Sequence, residues 1–353
     1  MRSARGILVE DEALADFLRA LPEVPNAPPA QLRQVLARAE LHGLAGLVHE
    51  ALRQVGVRVE GELAADISRR AMARDLDHAA HLALLDEIDA ALAESDVPAA
   101  ALKGALLAER LYAPTPSVRA TSDVDILVAE SDLDRAVSAL GMVGYIPHAG
   151  PEEERYRREH HHLHLAHPRA LPLELHFHAY RGFGRLIPGA PLVARRRIRI
   201  ERGYRMLGVL SPSDELVYLA VHAAAHRFVR LGWLWDIKLL LERMEPEEVA
   251  LAAERAHEWG YSRVLSFAAE LLADLLGTSN ESVAVLGSVG RVRSSVTRRI
   301  VVAPAWPPAR AATRFLFTAL LCDTTRAATS YATSTMLSRA RSAVRYRART
   351  ART

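Results

Sequence analysis

Apolar positions recur at helical spacing through residues 1–95. Pro29 opens a segment in which Leu32, Val35 and Leu36 share a face, and a second segment, Leu41 to Leu52, continues it through His42-Gly43-Leu44. A third, from about Glu60 to Glu94, carries Leu82, Leu85, Ile88 and Leu92 on one stripe, and Ser95-Asp96-Val97-Pro98 ends it. The pattern then shortens and changes period. Ala99 to Leu102, bounded by Pro98 and Gly104, fits a buried strand; Ala105 to Tyr112 reads as a helix and Ala113-Pro114-Thr115-Pro116 as a loop. Val124 to Val128 reads as a strand, Asp132 to Leu140 as a helix and Met142 to Ile146 as a short strand. His162 to Ala166 and Leu171 to His178 alternate with period two around a Pro-containing turn, as in a hairpin, and Arg197–Ile200 with Tyr204–Val209 predicts another, turning at Arg202-Gly203.

Ser211-Pro212-Ser213-Asp214-Glu215 is a strong helix start, and the chain returns to helix over Ser213–Phe228, Trp233–Arg243, Pro246–Trp259 and Ser262–Leu276. Beyond Gly277, Arg310–Leu321 and Ala327–Arg345 read as helical. The outline predicts an α+β fold: a small mixed-sheet core over residues 96–210, between an N-terminal helical region, 1–95, and a C-terminal helical domain, 211–353, that together shape a cleft.

Composition narrows this outline. Of 353 residues half are hydrophobic and a quarter charged, as in an ordinary globular protein, and no apolar run is long enough to span a membrane. The N-terminus, Met1 to Gly6, leads into acids rather than a signal-peptide core, so the expected location is the cytoplasm. A single cysteine, Cys322, excludes an internal disulfide framework and a cysteine-based zinc site. The last stretch carries Arg339, Arg341, Arg345, Arg347, Arg349 and Arg352 with no acid. Such a tail can meet nucleic acid or acidic lipid, but a solvated terminus is the preferred reading, and nucleic acid is not the expected partner. Only two of the 45 basic residues are lysines, Lys103 and Lys238, which draws attention to Lys103-Gly104.

The candidate chemistry lies in the central segment. Asp123 and Asp125 flank Val124 at the start of a strand, so their side chains share a face while Val124 turns inward. Adjacent carboxylates repel, and hard oxygen ligands of this kind are tolerable around a divalent cation such as Mg²⁺. Glycine at the Lys103-Gly104 junction lets backbone approach a phosphate, with the following helix N-terminus offering free N–H groups. In Leu173-Glu174-Leu175-His176-Phe177-His178 the apolar residues face the core, while Glu174, His176 and His178 face the other side. A carboxylate on such a strand can complete a metal cage or act as a base.

Glycine at a strand–helix turn, an Asp-x-Asp between apolar residues and a third acid on a later strand resemble the polymerase-β-like nucleotidyltransferase superfamily. Leu102-Lys103-Gly104, Tyr112, Arg119, Asp123 to Val128, Gly144-Tyr145 and Glu174-Leu175-His176 are similar, more closely, to the bacterial uncharacterised nucleotidyltransferase family. His42-Gly43, His222, Leu231, Trp233, Leu234 and Asp236 extend the likeness, over about residues 30–280. The resemblance implies transfer of a nucleoside monophosphate from an NTP, ATP among the candidates, to a hydroxyl or phosphate of a small-molecule, peptide or protein acceptor. It implies Mg²⁺ or Mn²⁺ held by Asp123, Asp125 and Glu174, which are also the catalytic residues. Lys103, Gly104, Arg119 and His176 would serve the nucleotide. The superfamily turn is usually Gly-Ser or Gly-Gly; here Gly104-Ala105 offers no hydroxyl.

His160, His161, His162, His164 and His167 crowd the strand before Glu174. Whether His162 and His164 share its face depends on the parity of the turn, which leaves a zinc or manganese site and a polar lining as alternatives. His222 and His226 have two-histidine spacing but lack the glutamate of a zinc-protease motif, and are expected near Arg230 and Asp236. Two other readings stand beside the leading one. A glycosyltransferase using a sugar nucleotide would also carry Asp-x-Asp, although there the acids end a strand, whereas here they begin one. A catalytically degenerate nucleotide-binding or antitoxin-like protein is the other. Acceptor, base preference and oligomeric state are not legible.

Overall fold

The alternating segments close into one mixed sheet. The computed structural model describes residues 12–19, 29–54, 61–147, 160–198, 203–278, 281–302 and 307–336. Its strands are β1 Ala99–Ala101, β2 Val124–Val128, β3 Ile146–Pro147, β4 His162–Ala166, β5 Leu173–His176, β6 His178–Gly182, β7 Arg185–Pro188, β8 Arg197–Ile198 and β9 Leu207–Val209. Seven of them form a sheet in the order β3-β4-β5-β2-β1-β9-β8, with β6 and β7 as a separate hairpin. Only β2–β5 and β1–β9 pair in parallel.

Period two sorts the side chains by face. Val124, Ile126 and Val128, with Leu163, Leu165, Leu173 and Leu175, pack under Leu85, Ile88 and Leu92 of the long helix Gly61–Glu94 and under Ala136, Ala139 and Leu140 of the helix Leu133–Met142. Ala100 and Leu127, on the other face, join a second apolar cluster with the C-terminal helices. This leaves Asp125, Glu174 and His176 between the sheet and those helices. The long helix is fastened to β9 by Asp89, whose carboxylate accepts the N–H groups of Arg205, Met206 and Leu207 at 3.0, 2.9 and 2.7 Å.

The fold is α+β, with a mixed-sheet core and helical regions on both flanks. The helices Pro246–Trp259 and Ser262–Leu276 match their sequence patterns to the residue, each stopped by a left-handed glycine, Gly260 or Gly277. Several expectations are corrected. The segment 41–52 is two helices, Pro29–His42 and Ala45–Gln54, broken at Gly43. Met142 ends a helix, so the strand expected from it is reduced to Ile146–Pro147. The run to His178 is interrupted at Phe177, because the N–H groups of Phe177 and His178 both reach the carbonyl of His161, at 3.0 and 3.2 Å. His178 therefore leaves the Glu174 face and lies 3.6 Å from Glu130. The helix read as Ser213–Phe228 is Pro212–Ala225, since Arg227 and Phe228 take positive φ.

Pro307–Leu321 and residues 325–336 are helical. The Arg339–Arg352 tail, residues 337–345 of the last expected helix, Met1–Gly6 and the 199–202 turn lie outside the described residues. No helix among the described residues is long and apolar enough to cross a membrane.

Candidate active site

Parallel pairing of β2 and β5 sets Asp125 opposite Glu174 and Leu127 opposite His176. Antiparallel pairing of β4 and β5 sets His164 opposite Glu174 and His162 opposite His176. The parity left open by the sequence is thereby settled: His162 and His164 share the face of the acids.

Charge on this face is closely compensated. The Lys103 ammonium lies 3.0 Å from Asp125 Oδ2 and 3.4 Å from Asp123 Oδ2. Burial works against its charge, but Asp125 and then Asp123 outweigh that effect and hold its pKa above the usual lysine value. His176 Nε2 lies 3.2 Å from Asp125 Oδ1 and 3.5 Å from Glu174 Oε2. Burial pulls its pKa down, and hydrogen bonds to the two carboxylates overcome the pull and raise it. Glu174 is held well below the ordinary carboxylate range, mainly by the hydrogen bond from His176, against burial. His161 and His162 are pushed down, to about 2 and about 3, by burial first and then by the neighbouring imidazole of His176.

Gly104 caps the helix Ala105–Leu111 with φ 78° and ψ −143°, a conformation nearly restricted to glycine. A Cβ there would meet Thr121 Cγ2 at 3.5 Å and the Asp123 carbonyl oxygen at 3.9 Å, ordinary contacts, so the requirement is conformational rather than steric. Arg119 is tied down elsewhere. Its Nε and Nη2 donate to the two oxygens of Asp236, each at 2.9 Å, and Nη1 approaches the carbonyl of Gly104 at 3.4 Å. The Tyr112 hydroxyl donates to the same carboxylate at 2.6 Å. Arg119 thus braces the Gly104 turn from behind, a role that needs a partner 117 positions away and left no local trace in the sequence.

The facing wall comes from the helix Pro212–Ala225. Burial, followed by the charges of Asp125, Glu174 and Asp123, pushes the Tyr218 hydroxyl well above its ordinary pKa. Burial and the Lys103 charge keep His222 well below its own. His222 and His226 lie 4.9 Å apart with tilted rings and both pack on Trp233, over which Arg230 sits at 5.5 Å. Nothing near Tyr218 in the sequence singles it out; its place follows from lying one turn before His222.

A small pocket, lined by Lys103, Gly104, Thr121, Asp123 and Asp125 among others, holds about 10 Å³, room for about one water or one ion. Thr121 Oγ1 is buried there without a hydrogen-bond partner, and Asp125 Oδ2 is buried against the Lys103 ammonium at 3.0 Å. Hard oxygen donors around an ion-sized space fit a Mg²⁺-type cation.

A sequence model of the family described as uncharacterised nucleotidyltransferase matches residues 28–277, more than half of the chain. The chain belongs to this family. No curated protein matches it. Among solved structures it is similar to the solution structure of the antibiotic-resistance factor ANT(2'')-Ia, at 11% identity and a TM-score of 0.37. That match covers 50% of this chain and 91% of the other, a likeness too slight to carry an argument. Of the residues that carry the family resemblance, the sheet register brings Asp125, Glu174 and His176 to one face, and Lys103 lies 3.0 Å from Asp125 and 3.4 Å from Asp123.

Proposed function

We propose that the protein is a divalent-metal-dependent nucleotidyltransferase that moves a nucleoside monophosphate from an NTP to a hydroxyl or phosphate of a small-molecule, peptide or protein acceptor. The observation that carries this reading is the placing of Asp123 and Asp125 beside an ion-sized pocket, with Glu174 in register on the neighbouring strand. Asp123, Asp125 and Glu174 are the residues that would hold Mg²⁺ or Mn²⁺. The chemistry supplied by a bound ion there is neutralisation of phosphate charge and a lowered pKa of the acceptor hydroxyl.

The chain's own residues do the rest. Gly104 and the N–H groups after it face the phosphates, with Lys103 adding positive charge. Thr121 turns its methyl to Gly104 and lines the same small pocket, where its unpartnered hydroxyl stands in for the one that Ala105 lacks. The acceptor oxygen bonds to the α-phosphorus as the bond to the bridging oxygen breaks. Pyrophosphate leaves with that electron pair, and Glu174, kept ionised by His176, takes the acceptor proton. Incubating the full chain with Mg²⁺ or Mn²⁺ and each labelled NTP or sugar nucleotide, while following pyrophosphate release and label transfer, tests the reading. Release and transfer with an NTP support it; transfer from a sugar nucleotide alone overturns it in favour of a glycosyltransferase.

A further inference from the structure

Next to the acids stands a second constellation, of which the proposed transfer reaction uses only His176. His161, His162 and His176 each place one ring nitrogen within 4.8 Å of the other two. Their ring centroids are 4.6, 5.0 and 5.6 Å apart. Three imidazoles bound tetrahedrally to one ion at about 2.05 Å would have centroids about 5.2 Å apart, a spacing the three measured values bracket. Packed aromatic rings can reach similar separations, so spacing alone does not decide the matter.

The hydrogen-bond inventory adds an independent observation. His162 Nδ1 and His176 Nδ1 are both buried without a hydrogen-bond partner. The remote nitrogens of the same rings are engaged: His176 Nε2 with Asp125 Oδ1 at 3.2 Å, and His162 Nε2 with His164 Nε2 at 3.2 Å. One nitrogen free on each ring, with a carboxylate or a further imidazole engaging the other, is the pattern of metal-ligating histidines. His164 lies with its ring centroid 4.6 Å from that of His162 and its Nδ1 3.6 Å from Glu174, and so backs His162.

We propose that His161, His162 and His176 form a binding site for a borderline-soft divalent ion of the zinc class, separate from the carboxylate site and insensitive to Mg²⁺. Imidazole nitrogens select such ions over Mg²⁺, and three protein ligands leave a fourth position open. The site does not rest on the nucleotidyltransferase reading. It meets that reading through His176, whose Nε2 lies 3.2 Å from Asp125 and 3.5 Å from Glu174.

The test uses the untagged full chain, stripped with a chelator and titrated with Zn²⁺ in excess Mg²⁺ by calorimetry. X-ray absorption of the Zn²⁺-loaded protein then reads the ligands. One tight equivalent with an imidazole shell is expected. Binding should fall by at least about 100-fold in His161→Asn and His162→Asn and by about 10- to 100-fold in the exposed His164→Asn. It should be unchanged in Asp123→Asn. A carboxylate-only shell, no binding in excess Mg²⁺, or equal affinity in wild type, His161→Asn and His162→Asn would overturn the proposal. Because Asp123→Asn removes an acid of the transfer site and leaves the imidazoles, a lost transferase activity and a lost zinc site are read separately.

Discussion

Replacing Lys103 with methionine removes the positive charge that lets Asp123 and Asp125 sit side by side. At an effective dielectric of about 20, contacts at 3.0 and 3.4 Å amount to about 5 kcal/mol each before desolvation is counted. Desolvation of the ammonium offsets much of this, and removing one partner of a buried ion pair costs about 3–5 kcal/mol in practice. Asp123 keeps partial access to water, which sets the expectation near the lower end, about 3 kcal/mol. Urea denaturation without divalent ions reads this loss directly. The same geometry has a second consequence. In the wild type a divalent ion must displace or share the carboxylates with the ammonium, whereas in Lys103→Met that competitor is gone and His176 remains on Asp125 and Glu174. Mg²⁺ should therefore raise the melting temperature more in the variant than in the wild type, by mass action on the folded state. A variant within about 1 kcal/mol of wild type in metal-free buffer, or equal Mg²⁺ stabilisation of both proteins, would refute the assignment of Lys103 as the internal counter-ion.

Further outcomes follow from the same contacts. Asp236→Asn leaves the buried Arg119 guanidinium without its two-point partner and should cost about 3–5 kcal/mol by denaturation, while Arg119→Met combined with Asp236→Leu should recover most of it. Thr121→Val should lower kcat by about 10- to 100-fold with little change in stability, the value of a hydrogen bond to a charged group. The pKa values of His161 and His162 are depressed to about 2 and about 3, so the unfolded chain binds more protons between those values and about 6.5. Their contribution is complete above about 6.5 and is lost as pH falls, by up to about 1.4 kcal/mol per unit for each. The raised His176 contributes in the opposite sense, lost as pH rises through its folded value. A pH series of urea midpoints should fall below pH 6 and fall less steeply in His162→Asn; identical profiles would contradict the burial of neutral imidazoles.

The parts of this molecule that were legible in sequence are those fixed by local chemistry. Val124–Val128 is a strand because its residues alternate and are buried on both faces, and Pro246–Trp259 is bounded by a proline, a capping box and a left-handed glycine. Period two put Asp123 with Asp125, and Glu174 with His176, on one face of their own strands, and the family resemblance joined the three acids. Register could not be read in advance. The coincidence of His162 and His164 with the acids depends on the β4–β5 turn, and the departure of His178 depends on two N–H groups sharing one carbonyl. Arg119 was expected to serve the nucleotide, and its partner Asp236 could not be foreseen because it arrives from a helix in another part of the chain. The burial of Asp125 between Lys103 and His176 also shows which acid is the clean probe. Asn at 125 would disturb a packed ion pair, whereas Asp123 is partly open to solvent.

The central claim is that Asp123, Asp125 and Glu174 hold the divalent ion for nucleotide transfer, and Asp123→Asn measured for Mg²⁺-dependent pyrophosphate release, alongside its denaturation midpoint, tests it most directly. The account predicts a loss of at least about 100-fold in kcat, the scale of removing a ligand of the reacting charge, with the fold retained. Undiminished release from the folded variant would contradict it.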